Sequence, residues 1–331
     1  MPNLLHPTPS NTAILLCTYN GERHLSAQIQ SLLEQSSPCT VLAFDDCSSD
    51  STVSILRRFE SDQFLVTERE QNLGYVKNFE AAIQTAVDAG YQTIALADQD
   101  DVWEHDRIER GLLAMQNCAA DTGVLVHSDL SVIDDNDEPV APSYFKLRRY
   151  RVSKERNLQL ILGQNGVMGN TILMTDTLAK LALPFPDKLH VHDYWIAVIA
   201  ELYGQRILLD DTSVQYRLHS DNASNSARKF NSSKLNPTTL SFWQRLLGRN
   251  YKLPFMEDSR QYITGHLLDN QSLPAISEKD IAVLRRFDSY LNQKHSRLTR
   301  ALSMLKSDFL KPGLLYRIRF VFAMLFSNRY Q

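Results

Sequence analysis

Ile94-Ala95-Leu96-Ala97-Asp98-Gln99-Asp100-Asp101-Val102-Trp103 is an apolar run that stops in three carboxylates and an indole. The apolar half reads as a buried strand. Carboxylates this close repel one another unless a cation sits among them or water reaches them. An Asp-x-Asp at a strand end therefore suggests a divalent metal held against a diphosphate. A surface acidic turn that caps the helix after Trp103, with Asp101 as the capping residue, is the alternative left open here.

The strand belongs to an alternating series. Thr12 to Thr18, Thr40 to Phe44 and Phe64 to Thr67 read as strands, and Val124 to Ser128 as a later one ending before Asp129. Leu25 to Leu33, Val53 to Phe59, Val76 to Val87 and Ile108 to Met115 carry apolar residues at helical spacing, with Asp50 as an N-cap candidate. Such alternation predicts an α/β fold with a doubly wound, mostly parallel sheet flanked by helices. Ligands of such sheets bind beyond the carboxyl ends of the strands. There the chain places Thr18-Tyr19-Asn20-Gly21-Glu22, Asp45-Asp46-Cys47-Ser48-Ser49-Asp50 and Asp98-Gln99-Asp100-Asp101. Past Asn165 the pattern becomes mixed: a helix over Tyr194 to Leu202, then strands over Arg206 to Leu209 and Ser213 to Tyr216. The Ser/Asn-rich stretch Asp221 to Lys234 reads as a linker.

Bulk properties narrow the partners. The 331 residues allow one large domain with an appendage, and a net charge of -3 gives no basic field for nucleic acid. Cys17, Cys39, Cys47 and Cys118 form no C-x-x-C pair and read as reduced thiols, which points to a cytoplasmic setting. Met1 to Ser10 does not read as a signal peptide, and no apolar run approaches the ~18 residues of a membrane span. The first strand lacks the glycine fingerprint of a dinucleotide fold, and no Gly-Lys-Ser/Thr element marks a P-loop.

Leu16-Cys17-Thr18-Tyr19-Asn20-Gly21-Glu22, Asp45-Asp46-Cys47-Ser48-Ser49-Asp50-Ser51-Thr52, Asn72-Leu73-Gly74 and Asp98-Gln99-Asp100-Asp101-Val102-Trp103, in this order, resemble glycosyltransferase family 2. The Asp-Gln-Asp-Asp-x-Trp wording is similar to its bacterial rhamnosyltransferase-type members. The resemblance spans roughly residues 10 to 225. It implies a GT-A catalytic domain over residues 1–225, a helical C-terminal region over 226–331, and inverting transfer from a nucleotide-sugar.

Under that resemblance the donor nucleotide-sugar is met by Thr18, Tyr19, Glu22, Asp46, Gly74, Lys77, Asn78, Asp98, Gln99 and Arg217. Asp46 is expected to accept the ring N–H of uracil or thymine, and Asp98 to bind the ribose. Gly74 admits close backbone approach at a helix N-terminus, with Lys77 and Asn78 in its first turn. Asp100 is implied as the ligand of Mg2+ or Mn2+, with His219 as a second donor on a closing loop. In His190-Val191-His192-Asp193-Tyr194-Trp195, Asp193 is the expected base for the acceptor hydroxyl and Trp195 an acceptor-stacking face. The resemblance points to a dTDP- or UDP-linked donor, dTDP-rhamnose first. The acceptor it implies is a bacterial surface polysaccharide, such as lipopolysaccharide, or a lipid-linked glycan. A nucleotidyltransferase on a related sheet and a catalytically silent sugar-binding module remain as rivals.

The tail over residues 306–331 mixes Leu314, Leu315, Ile318, Phe320, Val321 and Phe322 with Lys306, Lys311, Arg317, Arg319 and Arg329. It reads either as a basic amphipathic helix on an anionic membrane surface, making the protein peripheral on the inner face of the membrane, or as a helix packed on this domain or on another subunit of an oligomer.

Overall fold

In Thr12–Thr18 (β1) all residues but Cys17 are buried, and their side chains alternate between two cores. Ala13 and Leu15 enter one, Ile14 and Leu16 the other. A strand covered on both faces is the centre of a layered α/β sheet. The computed structural model describes residues 11–119, 121–219, 254–269, 273–291, 296, 298–300 and 309.

β1 pairs in parallel with Thr40–Asp45 (β2) and Thr93–Ala97 (β4), and β2 with Phe64–Glu68 (β3). The helices Leu25–Leu33 (α1), Thr52–Arg58 (α2) and Arg107–Met115 (α4) bury Leu25, Ile29, Leu32, Ile55, Leu56 and Ile108 on one face. Tyr75–Asp88 (α3) covers the other with Phe79, Ala82, Ile83 and Ala86. These elements match the expected alternation to within a residue or two.

Beyond β4 the sheet is mixed. Leu173–Thr175 (β8) inserts antiparallel between β4 and Val124–Ile133 (β6), and β6 then pairs in parallel with Gln205–Arg217 (β9). Val102–Trp103 (β5) and Pro139–Ala141 (β7) pair antiparallel with β9 and β6. The order is β3-β2-β1-β4-β8-β6-β9-β5, with β7 on β6, so parallel pairing holds for the first four strands and again for β6 with β9, with antiparallel pairing elsewhere. Two further boundaries differ. The strand expected to end at Ser128 runs on to Ile133 through a register shift at Asp129, whose carboxylate accepts from the Phe145 amide at the start of Tyr144–Arg148 (α5). The two strands expected over residues 206–216 are the single strand β9.

Leu158–Gln164 (α6), Asp176–Ala182 (α7) and His192–Tyr203 (α8) complete the second face. Pro254–Asp269 (α9) and Glu278–Leu291 (α10) add Ile263, Leu284 and Phe287 to that core. The linker expected over 221–234 and the boundary at 225/226 lie outside the described residues. So does the tail over 306–331 except for Phe309, whose buried ring packs 4.8 Å from that of Phe287. Among the described residues no helix is long and apolar enough to cross a membrane.

A buried ion pair ties α8 to β9. Arg206 Nε meets Glu201 Oε1 at 2.6 Å with both side chains almost fully buried. Glu201 Oε2 accepts from the Asn157 amide, and Arg206 donates to the carbonyls of Ser153 and Glu155. Removing one partner of such a pair strands a charge in the interior. Glu201→Ala is therefore expected to destabilise the fold by about 3–5 kcal/mol, read as a lowered urea midpoint; an unchanged midpoint would show the pair to be dispensable.

Candidate active site

The parallel register sets the ends of β1, β2 and β4 side by side. Thr18 pairs with Asp45, and Leu16 with Ala97, the residue before Asp98. Asp98 stands half-buried in the hollow beyond these ends. Its carboxyl is pushed up to about 7, first by burial and then by the charges of Asp100 and Asp193. The base candidate at the head of α8 therefore shares the space of the acidic motif, 95 residues away in sequence. Asp193 itself is raised to about 6 by burial. The Asn165 side chain donates to its Oδ1 at 2.8 Å, and the backbones of Tyr194 and Gly169 also hydrogen-bond to it, which favours the charged form. Asp193 lies inside α8, whose N-cap is Val191, so it does not serve as the cap.

Asp100 and His219 meet across the hollow, with Oδ2 and Nε2 2.7 Å apart. They offer an oxygen and a nitrogen donor to a hard divalent cation. Among the described residues no three His, Cys, Asp or Glu side chains form a closed metal centre. Any cation here would take its remaining ligands from water and bound phosphate. Asp101 does not cap the next helix, which starts from Asp106. Its buried carboxylate instead accepts from the Asn170 side chain and the Arg217 amide.

Several expected donor contacts are instead internal braces. Asp46 is 2% exposed, and its two oxygens accept from the amides of Leu73 and Gly74 at 2.7 and 2.9 Å. It shapes the loop rather than presenting an acceptor to a base. Gln99 closes its amide on the backbone of Tyr19, accepting from N at 2.8 Å and donating to O at 3.1 Å. A Cβ on Gly21 would fall 2.3 Å from Gln99 Oε1, so the glycine makes that clamp possible. Asn78 is buried between the Phe44 carbonyl and Arg69. Glu22 and Lys77 stay exposed, with Glu22 accepting from the Ser51 amide and Lys77 paired with Glu80 at 2.6 Å along α3. Arg217 is 1% exposed. Its guanidinium donates to the carbonyls of Asp100 and Asp134 and pairs with Asp137 at 2.6 Å, so it braces the acidic loop instead of reaching a diphosphate. Trp195 is likewise corrected: its indole is 1% exposed and donates to the Ala182 carbonyl at 2.7 Å. It is core, because it follows the inward-facing side of α8.

Other expected residues stay where a ligand can meet them. The Tyr19 ring is 50% exposed, while Thr18 beside it is buried and donates to Asp45 Oδ1 at 2.9 Å. Gly74 has φ +79°, a conformation that suits glycine, and open space where a Cβ would stand. It N-caps α3, whose free amides favour an anion. Three contributors had no strong sequence signal. Asn165 and Asn170 sit in the irregular stretch before β8, where only proximity to the acidic residues reveals them. Arg69 follows β3, lies 4.9 Å over the Phe44 ring and keeps a buried Nη2 without a hydrogen-bond partner.

The family model for Glycosyl transferase family 2 matches residues 13–172, which include the three strand ends and the acidic motif. Over these residues the chain is similar to the family 2 glycosyltransferases. It is 29% identical over 102 residues to the dTDP-rhamnosyl transferase RfbG of Shigella flexneri, covering 29% of this chain and 35% of RfbG. It is 25% identical over 248 residues to the UDP-Glc:alpha-D-GlcNAc-diphosphoundecaprenol beta-1,3-glucosyltransferase WfgD of Escherichia coli, covering 73% of this chain and 90% of WfgD. For three of the curated relatives, RfbG among them, the matched segment spans less than half of their length. The fold is that of the mannosyltransferase PcManGT from Pyrobaculum calidifontis, solved with GDP-Man and Mn2+: TM-score 0.55 at 14% identity, covering 90% of this chain and 74% of that one. The architecture is GT-A, as the motifs implied.

The raised carboxyls couple stability to pH. Unfolded aspartate ionises near about 3.9. Between there and about 6 for Asp193, or about 7 for Asp98, the unfolded chain ionises first. Native stability contributed by these groups is therefore lost as pH rises through that window. Asp193→Asn removes one of them, so its melting temperature relative to wild type is expected to climb by about 4 °C between pH 4 and pH 8. A pH-independent difference in a thermal-melt series would contradict the burial of this carboxylate.

Proposed function

We propose that this protein is an inverting glycosyltransferase that moves a sugar from a nucleoside diphosphate donor to a glycan or lipid-linked acceptor. The observation that carries the reading is the meeting of Asp98, Asp100 and Asp193 in one hollow at the strand ends. The donor lies over β1 and β2 with its base beside the open Tyr19 ring, its ribose at Asp98 and its diphosphate toward the Gly74 end of α3. Asp193 faces the sugar from the acceptor side and takes the proton of the attacking hydroxyl. The new C–O bond forms as the bond to the diphosphate breaks on the opposite face, so the anomeric configuration inverts. Negative charge grows on the departing phosphate, and the α3 amides oppose it. Asp100 and His219 suit Mg2+ or Mn2+, which when bound would neutralise that charge.

The base-selecting part assigned to Asp46 is withdrawn by its loop contacts, so the pyrimidine preference rests on resemblance. RfbG and WfgD are named for dTDP-rhamnosyl and UDP-Glc transfer, and WfgD for a diphosphoundecaprenol-linked acceptor. On that support the donor is dTDP- or UDP-linked, with dTDP-rhamnose first. The acceptor is a lipid-linked or surface glycan of a bacterium, met at the inner face of the membrane.

Turnover of dTDP-rhamnose, UDP-glucose and GDP-mannose with Mn2+ tests the reading. Wild type is expected to transfer sugar from a pyrimidine donor at a rate rising with pH through about 6, where Asp193 ionises. Asp193→Asn should lose about 10²–10⁴-fold in kcat. Metal-dependent nucleotide binding with no turnover from any donor would leave a silent binding module instead. Membrane attachment has its own measurement. Reversing Arg317 and Arg319 to Glu should weaken binding to anionic vesicles and leave neutral vesicles unaffected; no change on anionic vesicles would remove the membrane from this account.

A further inference from the structure

Tyr75 borders the hollow and has no task in the reaction above. It is the first residue of α3, directly after Gly74, and its side chain remains 49% exposed. Its hydroxyl donates to the carbonyl of His190. Its ring meets that of His192 edge-on, with centroids 6.0 Å apart, and His192 is buried and stacked on Phe79 at 4.2 Å. The hydroxyl end of the ring is thus fixed and the ring is held against His192, while about half of the residue stays open to solvent. Burial, then the charges of Asp193 and Asp98, push the phenol up to about 12, so the ring is neutral and stands within electrostatic reach of both carboxylates.

A fixed, neutral aromatic face beside a carboxylate that accepts a hydroxyl proton is suited to the C–H face of a pyranose. We propose that Tyr75 is the acceptor-sugar platform, stacking on the uncharged hexopyranose whose hydroxyl Asp193 deprotonates. The acceptor is favoured over the donor sugar because Tyr75 is anchored to residues 190–192, the segment that leads into α8 and carries Asp193 at its head. Ring and base are therefore held in one unit, as a platform for the attacking sugar requires. Tyr75 takes the place that sequence reasoning gave to Trp195. The assignment rests on the transferase reading and specifies its acceptor side.

The test reads glycoside binding without turnover. Saturation-transfer NMR with a panel of methyl hexopyranosides is run on the full chain loaded with UDP or dTDP, and nucleotide affinity is measured separately by calorimetry. Tyr75→Ala is expected to weaken glycoside binding about tenfold, a larger factor than its effect on the nucleotide. Tyr75→Phe, which keeps the face and loses only the anchor, should stay within about threefold of wild type. Leu113→Ala, at another exposed apolar side chain, is the control. Glycoside signals that are equal in wild type and Tyr75→Ala, or absent from both, overturn the proposal. So does a loss shared equally by glycoside and nucleotide, or the same loss in Leu113→Ala. Failure of every donor to turn over sinks the transferase reading alone, since Tyr75-dependent glycoside binding would still be seen.

Discussion

The gathering of Asp98, Asp100, Asp101 and Asp193 in one hollow shielded from water is the constraint around which this site is built. Burial raises the cost of ionising Asp98 and Asp101, and the neighbouring carboxylate charges add to it. The fold answers with a separate support for each of three of them. Asn170 and the Arg217 amide hold Asp101, His219 faces Asp100, and Asn165 holds Asp193. Asp98 alone gains no such partner among the side chains that set its ionisation, apart from the more distant charge of Arg107. Burial and the charges of Asp100 and Asp193 push it up to about 7.

The supports arrive from the part of the chain where the sheet stops being parallel. Asn165 and Asn170 precede β8, and β8 wedges antiparallel between β4 and β6. Without that wedge the acidic motif at the end of β4 would face the β6–β9 pair across a gap. Arg217 closes the other side, with its backbone on Asp101 and its guanidinium on the carbonyls of Asp100 and Asp134. A cation so thoroughly bound to the protein stiffens the acidic loop and leaves the hollow free of a fixed positive charge from that residue.

The first half of the fold was legible because period and punctuation agree there: β1, α1 and β4 begin and end where the apolar pattern does. The antiparallel strands were not, since β8 has three residues and β5 two, too few to show a period. The site divides in the same way. The pattern singled out the acidic motif and the resemblance pointed to Asp193, and the fold brings the two into one hollow. The pattern did not foresee the loop contacts of Asp46, Gln99, Asn78 and Arg217, because a polar side chain that braces a loop and one that meets a ligand look alike in sequence. Trp195 failed for a simpler reason: α8 is buried almost all round, so its aromatic residues face protein. The family model ends at residue 172, short of both Asp193 and His219.

Only Gly204 separates α8 from β9. The helix brings Asp193 at its head, and the strand leads out toward His219. A Cβ at Gly204 would stand 2.1 Å from the Gly123 carbonyl, so the joint is wedged against β6 with no slack. Asp193 and the imidazole are thus mounted on a single elbow whose angle cannot open without lifting off the sheet. The span between them works as a rigid gauge, set by the packing of Gly204 on the Gly123 carbonyl.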